Sequence, residues 1–363
     1  METHGGDIRR DTGDDDTGGV PGGPHYRALA LQSRCDAVNA LAPDEARAAI
    51  SRGIARVRAE TAASVAFIGP DVRLVVLPEY LFTGFPMGDA VPAWAAKAAL
   101  DPDGPEYEAL GAIARDLRVH LAGNAYETDP HFPGLYFQAC FLIAPSGDVV
   151  LRYRRLHSMF APTPYDVWDR YLDVHGIDAV LPVARTELGN LAAIASEEIL
   201  YPELTRALVL RGAEVLCHST SEAGSPRPTA KAVARLARAS ENLAYVVSAN
   251  TAGITGTAIP GASTDAMSQI VDFNGIVLAE AGPGESMVAN AELDLAALRR
   301  ARRRPGMGNL LARGKPGLWA EEFARAEGER PNGLAEGTPP DRAWFARRQA
   351  ETLERLVKAG VIT

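Results

Sequence analysis

Cysteine is scarce in this 363-residue chain. Its three residues, Cys35, Cys140 and Cys217, are too scattered for a disulfide framework or a CxxC metal pair, and a reducing, cytoplasmic setting fits best. Long apolar runs are missing as well: no stretch reaches about 18 continuous apolar residues, so neither a membrane span nor a membrane partner is expected. Positive charge is not in excess. The formal net charge of -9, with no basic stripe carrying interleaved aromatics, argues against nucleic acid as a partner. The densest basic run, Arg299, Arg300, Arg302, Arg303 and Arg304, reads as a solvated helix end, a subunit contact or a clamp for an acidic ligand. No Walker-type loop, GxGxxG turn, HExxH helix or internal repeat is present, so no cofactor is expected and neither metal nor nucleotide has a visible site.

What is present is enough apolar material, 47% of the residues, for a sizeable core. Residues 1–24 contribute almost nothing to it. They are rich in Gly and Asp, lack the apolar centre of a secretion signal, and are expected to form a disordered tail.

The most informative stretch runs from Gly189 to Leu216. Leu191 to Ala195 is wholly apolar, as in a strand covered on both faces, and Ser196 stands where that run ends. Pro202 suits a first helical position, Glu203 adds an acid to the first turn, and Leu204, Ala207, Leu208 and Leu210 keep helical spacing up to Gly212. A second apolar run, 214–217, follows. This is either one ordinary beta-alpha-beta unit or a nucleophile elbow, a sharp turn that lifts Ser196 off a sheet among free backbone N–H groups.

Elsewhere, strands are predicted over 26–32, 72–77, 119–126 and 245–249, and helices over 43–62, 106–117, 229–243 and 342–359. Hairpins are predicted for 136–144 with 148–153, around Pro145 to Gly147, and for 269–272 with 275–279. Glu79 closes the strand over 72–77, a costly place for a carboxylate unless it is paired or catalytic. Residues 158–175 read as a long aromatic, Pro-rich loop with a short helix, and 217–228 as another polar loop. Beyond Leu293 the composition turns to Arg and Ala with recurring turn signals. That division places a domain over 25–293 and an extension over 294–363, expected to contact a neighbouring subunit or, nearly as well, its own domain.

Three long segments, in order, resemble the nitrilase superfamily of carbon–nitrogen hydrolases: LVVLPEYLFTGFP (74–86), YPELTRALVLRGAEV (201–215) and RASENLAYVVSAN (238–250). The resemblance covers about 26–293. It implies an α/β fold, the nitrilase-like αββα sandwich, pairing as αββα-αββα in a homodimer or larger homo-oligomer. It also implies cofactor-free chemistry on a small amide, nitrile or carbamoyl compound by a Cys nucleophile, a Glu base, a Lys at the tetrahedral intermediate and often a second Glu.

Matched residue by residue, Glu79 takes the position of the base, Ser196 that of the nucleophile and Arg155 that of the Lys. The second Glu has no match near 162–164, where Asp166 is the nearest acid at a different spacing. Tyr80, Phe85, Asp166, Glu198, Tyr201 and His218 are the candidate substrate-binding residues. The departures bear on mechanism. A thiol near pKa 8.5 can yield its proton to a buried Glu more readily than a serine hydroxyl can, and Arg keeps the charge of Lys but cannot release a proton. His157, His218 and a relocated thiol at Cys217 are the alternatives within the chain. Two functions follow: an enzyme using Ser196, Glu79 and Arg155 in hydrolytic or other acid–base chemistry, or a catalytically degenerate protein binding a ligand or partner in the same pocket.

Overall fold

The apolar runs assemble into two six-stranded sheets packed face to face in the computed structural model, which describes residues 24–223, 227–334 and 339–363. The expected N-terminal tail, but for its last residue, lies outside the described residues. In the first sheet the spatial order is Asn290–Asp294, His25–Ala30, Val72–Val76, His120–Thr128, Tyr136–Ile143 and Val149–Arg154. The second runs Val277–Glu280, Gln269–Val271, Tyr245–Ala249, Val215–Ser219, Gly189–Ala195 and Ala184–Thr186. Three parallel strands form the middle of each sheet, and antiparallel partners flank them. The parallel strands are the continuous apolar runs because both of their faces are covered.

Between the sheets, Ala28, Leu74, Val76 and Leu142 meet Ala193, Val215 and Val247 in one core. The outer face of the first sheet is covered by Ile50, Ile54 and Val57 of the helix Pro43–Ile68 and by Leu110 and Ile113 of Pro105–Leu117. Leu204 and Leu208 of Pro202–Leu210, with Ala234 and Ala239 of Ala230–Asn242, cover the second. The layers are therefore αββα, as the resemblance implied.

Differences from the sequence reading have local causes. The first long helix passes Ala62 and ends only at Gly69, at φ 136°, since no breaker lies between the two. The strand that ends in Cys217 on the sequence reading continues through Ser219, its polar His218 and Ser219 side chains buried because each is hydrogen-bonded. Beyond Leu293 the chain stays in the core for another helix, Leu295–Arg303, whose Leu295 and Leu298 are fully buried. The basic run staples that helix down: Arg299 pairs with Glu214 at 2.7 Å, and Arg302 donates to the carbonyls of Leu243 and Ala213. The last helix, Arg342–Lys358, rests on the 158–168 loop of its own chain through Phe345 and Arg342, both against Phe160.

Candidate active site

Glu79 leaves the sheet two residues after Leu77 and is fully buried. Its backbone N–H donates to the Thr220 carbonyl, which ties it to the end of the second sheet's central strand. Oε1 accepts from Gln138 Nε2 at 2.8 Å and Arg155 Nη1 at 3.2 Å, while Oε2 has no hydrogen-bond partner among the described residues. Tyr80 follows at φ 59°, a left-handed conformation that costs a bulky residue about 1–3 kcal/mol. That turn carries its ring onto Tyr126 and Phe85 and brings its hydroxyl within 3.3 Å of Arg155 Nη1. Phe85 otherwise packs against Cys35, Ala37 and Ile254.

Arg154 and Arg155 end their strand on opposite sides of it, as strand alternation requires. Arg154 pairs with Asp129 at 2.6 Å, and Arg155 turns to Glu79. Every nitrogen of the Arg155 guanidinium is engaged: Nε by the His157 carbonyl, Nη1 by Gln138 Oε1 at 2.7 Å with Tyr80 and Glu79, and Nη2 by Glu197. Burial opposes this charge, but Tyr80, Glu79, Glu197 and Glu198 around it more than offset the effect and raise its pKa well above the usual value.

Ser196 stands at the end of Gly189–Ala195 with φ 48° and opens a 3-10 turn, Ser196–Leu200. Strand, strained residue and turn reproduce the elbow geometry expected of the sequence. Its carbonyl accepts from His218 Nε2 at 2.8 Å, and His218 Nδ1 faces Ser248 Oγ at 2.8 Å. Nε2 must carry the proton to meet a carbonyl. Burial, then Arg235, hold the His218 pKa well below its ordinary value, so this neutral, fully buried ring supports the elbow from beneath.

Lys231 is the residue the sequence reading missed. Its Nζ donates to Ser196 Oγ at 2.7 Å and to Thr220 Oγ1 at 3.3 Å. A signal existed: Lys231, Arg235 and Arg238 recur at helical spacing on one face of Ala230–Asn242, and Arg235 and Arg238 are buried.

The remaining candidates divide. Glu198 is fully buried, and its carboxylate accepts from Tyr153 Oη at 2.8 Å and from the Leu156 and His157 N–H groups, so it stitches the loop after Arg155 to the elbow and is not open to a substrate. Its neighbour Glu197 is the acid that faces Arg155. Asp166 does not contact the Glu79–Arg155 cluster, since its Oδ2 caps its own turn by accepting from Thr163 N and Oγ1, but it lines the same cavity as Tyr201. Tyr201 stacks on His157 with ring centroids 4.0 Å apart. Both line a cavity of about 950 Å³ that Glu197 bounds on one side and Phe345 and Arg348 of the last helix bound on another. Cys217 is packed between the sheets with its thiol pushed up to about 12 by burial, which excludes it as a nucleophile. No group of acids, His and Cys able to hold a metal occurs among the described residues, and none of their helices is long and apolar enough to cross a membrane.

The carbon–nitrogen hydrolase family model matches residues 49–303, and the chain belongs to that family. It is 27% identical over 243 residues to a formamidase of Pseudomonas syringae pv. syringae, a match covering 66% of this chain and 65% of the formamidase, so the chain spans about two thirds of that relative's length. A Bradyrhizobium diazoefficiens formamidase is 27% identical over 261 residues, 70% of this chain and 69% of its own. Among solved structures, a carbon–nitrogen hydrolase from Helicobacter pylori G27 superposes with a TM-score of 0.63 at 20% identity, over 83% of this chain and 99% of that one. An amidase from Nesterenkonia sp. gives 0.54 at 19% identity, over 84% and 98%.

Proposed function

We propose that the protein hydrolyses a small amide, nitrile or carbamoyl compound through an acyl-enzyme on Ser196. The observation that carries this reading is the strained Ser196 turn, with its Oγ held 2.7 Å from Lys231 Nζ and with the Glu79–Arg155 pair acting electrostatically on that same amine. A left-handed serine at a strand end costs free energy that packing alone does not require, and such strain is kept where a side chain must be presented. Glu79, whose buried Oε2 has no hydrogen-bond partner among the described residues, is the carboxylate that sets the charge of the site, and Arg155, each of its nitrogens already engaged, contributes a fixed positive charge towards the oxyanion. The saturation of Arg155 also fits a second reading, a site that binds a ligand without turning it over.

The relatives named formamidase make formamide the first substrate to try. Purified protein offered formamide, short amides, nitriles and carbamoyl compounds is expected to release ammonia with at least one class, and rapid quenching should trap an acyl adduct on the Ser196 peptide. Turnover with an adduct at another residue would remove the assignment, and neither turnover nor adduct would favour binding alone.

We further propose a homo-oligomer formed through the segment after Leu293, with a second copy of the chain as the partner. The helix Gly317–Arg325 leaves Leu318, Trp319 and Phe323 about 60% exposed on one short element, and such grouped apolar surface marks an interface. Light scattering should give a dimer or larger for the full chain and a smaller species after truncation at Met307. A monomeric full-length chain rejects the proposal.

A further inference from the structure

Serine is a poor partner for a carboxylate base, because its hydroxyl is far less acidic than a thiol. Of the two basic residues around Glu79, Arg155 cannot accept a proton and has every nitrogen engaged. Lys231 differs on both counts. It reaches Ser196 Oγ itself, and its aim is fixed by a buried network. Thr229 caps the helix by accepting from Ala232 N at 3.1 Å, and its hydroxyl donates to Glu222 Oε1. One turn further along the same face, the fully buried Arg235 donates to Glu222 Oε1, Gln269 Oε1 and Ser248 Oγ at 2.9, 2.8 and 3.2 Å. A surface lysine that happened to lean on a serine would not be anchored in this way.

We propose that Ser196 and Lys231 form a serine–lysine catalytic dyad in which Lys231 Nζ takes the proton of the attacking hydroxyl and returns it to the leaving nitrogen. The inference rests on the reading of Ser196 as the nucleophile. Neutral Lys231 accepts the Oγ proton as Oγ bonds to the carbonyl carbon, and the carbonyl π pair moves onto oxygen. When the pair returns, the carbon–nitrogen bond breaks and the Lys231 ammonium protonates the departing nitrogen, so ammonia or an amine leaves. Water then attacks the acyl-serine ester, gives a proton to Lys231 and releases the carboxylic acid, and Lys231 restores the Ser196 hydroxyl.

The surroundings favour the neutral amine more than water does. Burial lowers the Lys231 pKa most; Glu79, Glu222 and Glu197 act against this, Arg155 acts with it, and the balance stays below the ordinary lysine value. His218, which also faces this region, is held neutral and adds no charge. Thr220, placed by the same backbone that binds Glu79 N–H, keeps the amine aimed in either protonation state.

The test does not need the natural substrate. Phenylmethanesulfonyl fluoride should label Ser196 of the full chain at a rate that rises with pH and reaches a plateau below the usual lysine range. Lys231→Met, close in shape without the amine, and Lys231→Arg, which keeps the charge but cannot accept a proton, should each slow labelling at least about a hundredfold. Melting curves confirm that the variants are folded, and added ethylamine should partly rescue Lys231→Ala. Wild-type Ser196 that resists the reagent, or a folded Lys231→Met or Lys231→Arg labelled at the wild-type rate, overturns the dyad. Amide turnover on the same samples separates the two readings. Turnover that survives in Lys231→Met removes the dyad and leaves the hydrolase, whereas Lys231-dependent labelling without turnover on any amide keeps the dyad and removes the hydrolase.

Discussion

Arg155→Ala should lower folding stability by about 3–5 kcal/mol, the usual cost of removing one partner from a buried ion pair. The guanidinium is 4% exposed and joins Glu79, which is fully buried, to Gln138, Tyr80, Glu197 and the loop carbonyl of His157. Without it the Glu79 carboxylate keeps Gln138 as its one hydrogen-bond partner among the described residues, and Glu197 loses its paired guanidinium. Arg155→Lys should be milder and still damaging, because one ammonium on a shorter reach cannot serve two carboxylates, an amide and a hydroxyl together. The measurement is the denaturant midpoint with the slope checked for constancy. An Arg155→Ala midpoint equal to wild type would mean that the cluster is hydrated and loosely held. Activity should fall in both variants, since Glu79 is aimed by the same contacts.

Much of this arrangement was legible from residue order. The run 72–77 ending in Pro78 and Glu79, and the run 191–195 ending in Ser196, are local signals in which apolar residues define a strand and the first polar residue marks its end. In the structure the first of these ends is a buried carboxylate and the second a serine in a left-handed conformation. The family pattern placed Arg155 at the Lys position, and Arg155 is the residue that meets Glu79 while Arg154 pairs with Asp129. Long-range choices were not legible. Glu197 and Glu198 are adjacent and chemically identical, and only the 3-10 turn decides that the first meets Arg155 and the second is consumed by backbone N–H groups. Lys231 lies 35 residues from Ser196 on another element, and the sheet order alone brings them together. The edge strands 184–186 and 290–294 were missed for a simpler reason: each is short and half-solvated, so neither forms an apolar run.

Ser196→Ala should abolish turnover while leaving the fold nearly intact. Loss of a nucleophile from a site that works as a unit removes up to about 10⁶ in kcat, because base and oxyanion donors have nothing to act upon. The structural cost is small by comparison. Oγ accepts one hydrogen bond, from Lys231, which retains Thr220, and such a bond contributes about 0.5–1.5 kcal/mol. Ser196→Cys should keep part of the activity, for two physical reasons. The thiol is more acidic than the hydroxyl, and the Lys231 ammonium beside it favours the thiolate, so proton removal ceases to be the difficult step. The larger sulfur must still fit a turn at φ 48°, and the rate is therefore expected to fall below that of an optimised thiol site. Steady-state kinetics on the best amide from the screen, with calorimetric affinity for a non-hydrolysed analogue, reads both variants. Catalysis at Ser196 predicts that Ser196→Ala loses kcat and keeps the affinity. A protein that only binds would show unchanged affinity in Ser196→Ala with no turnover to lose in the wild type, and a Ser196→Ala variant that hydrolyses amides at the native rate would place the chemistry elsewhere.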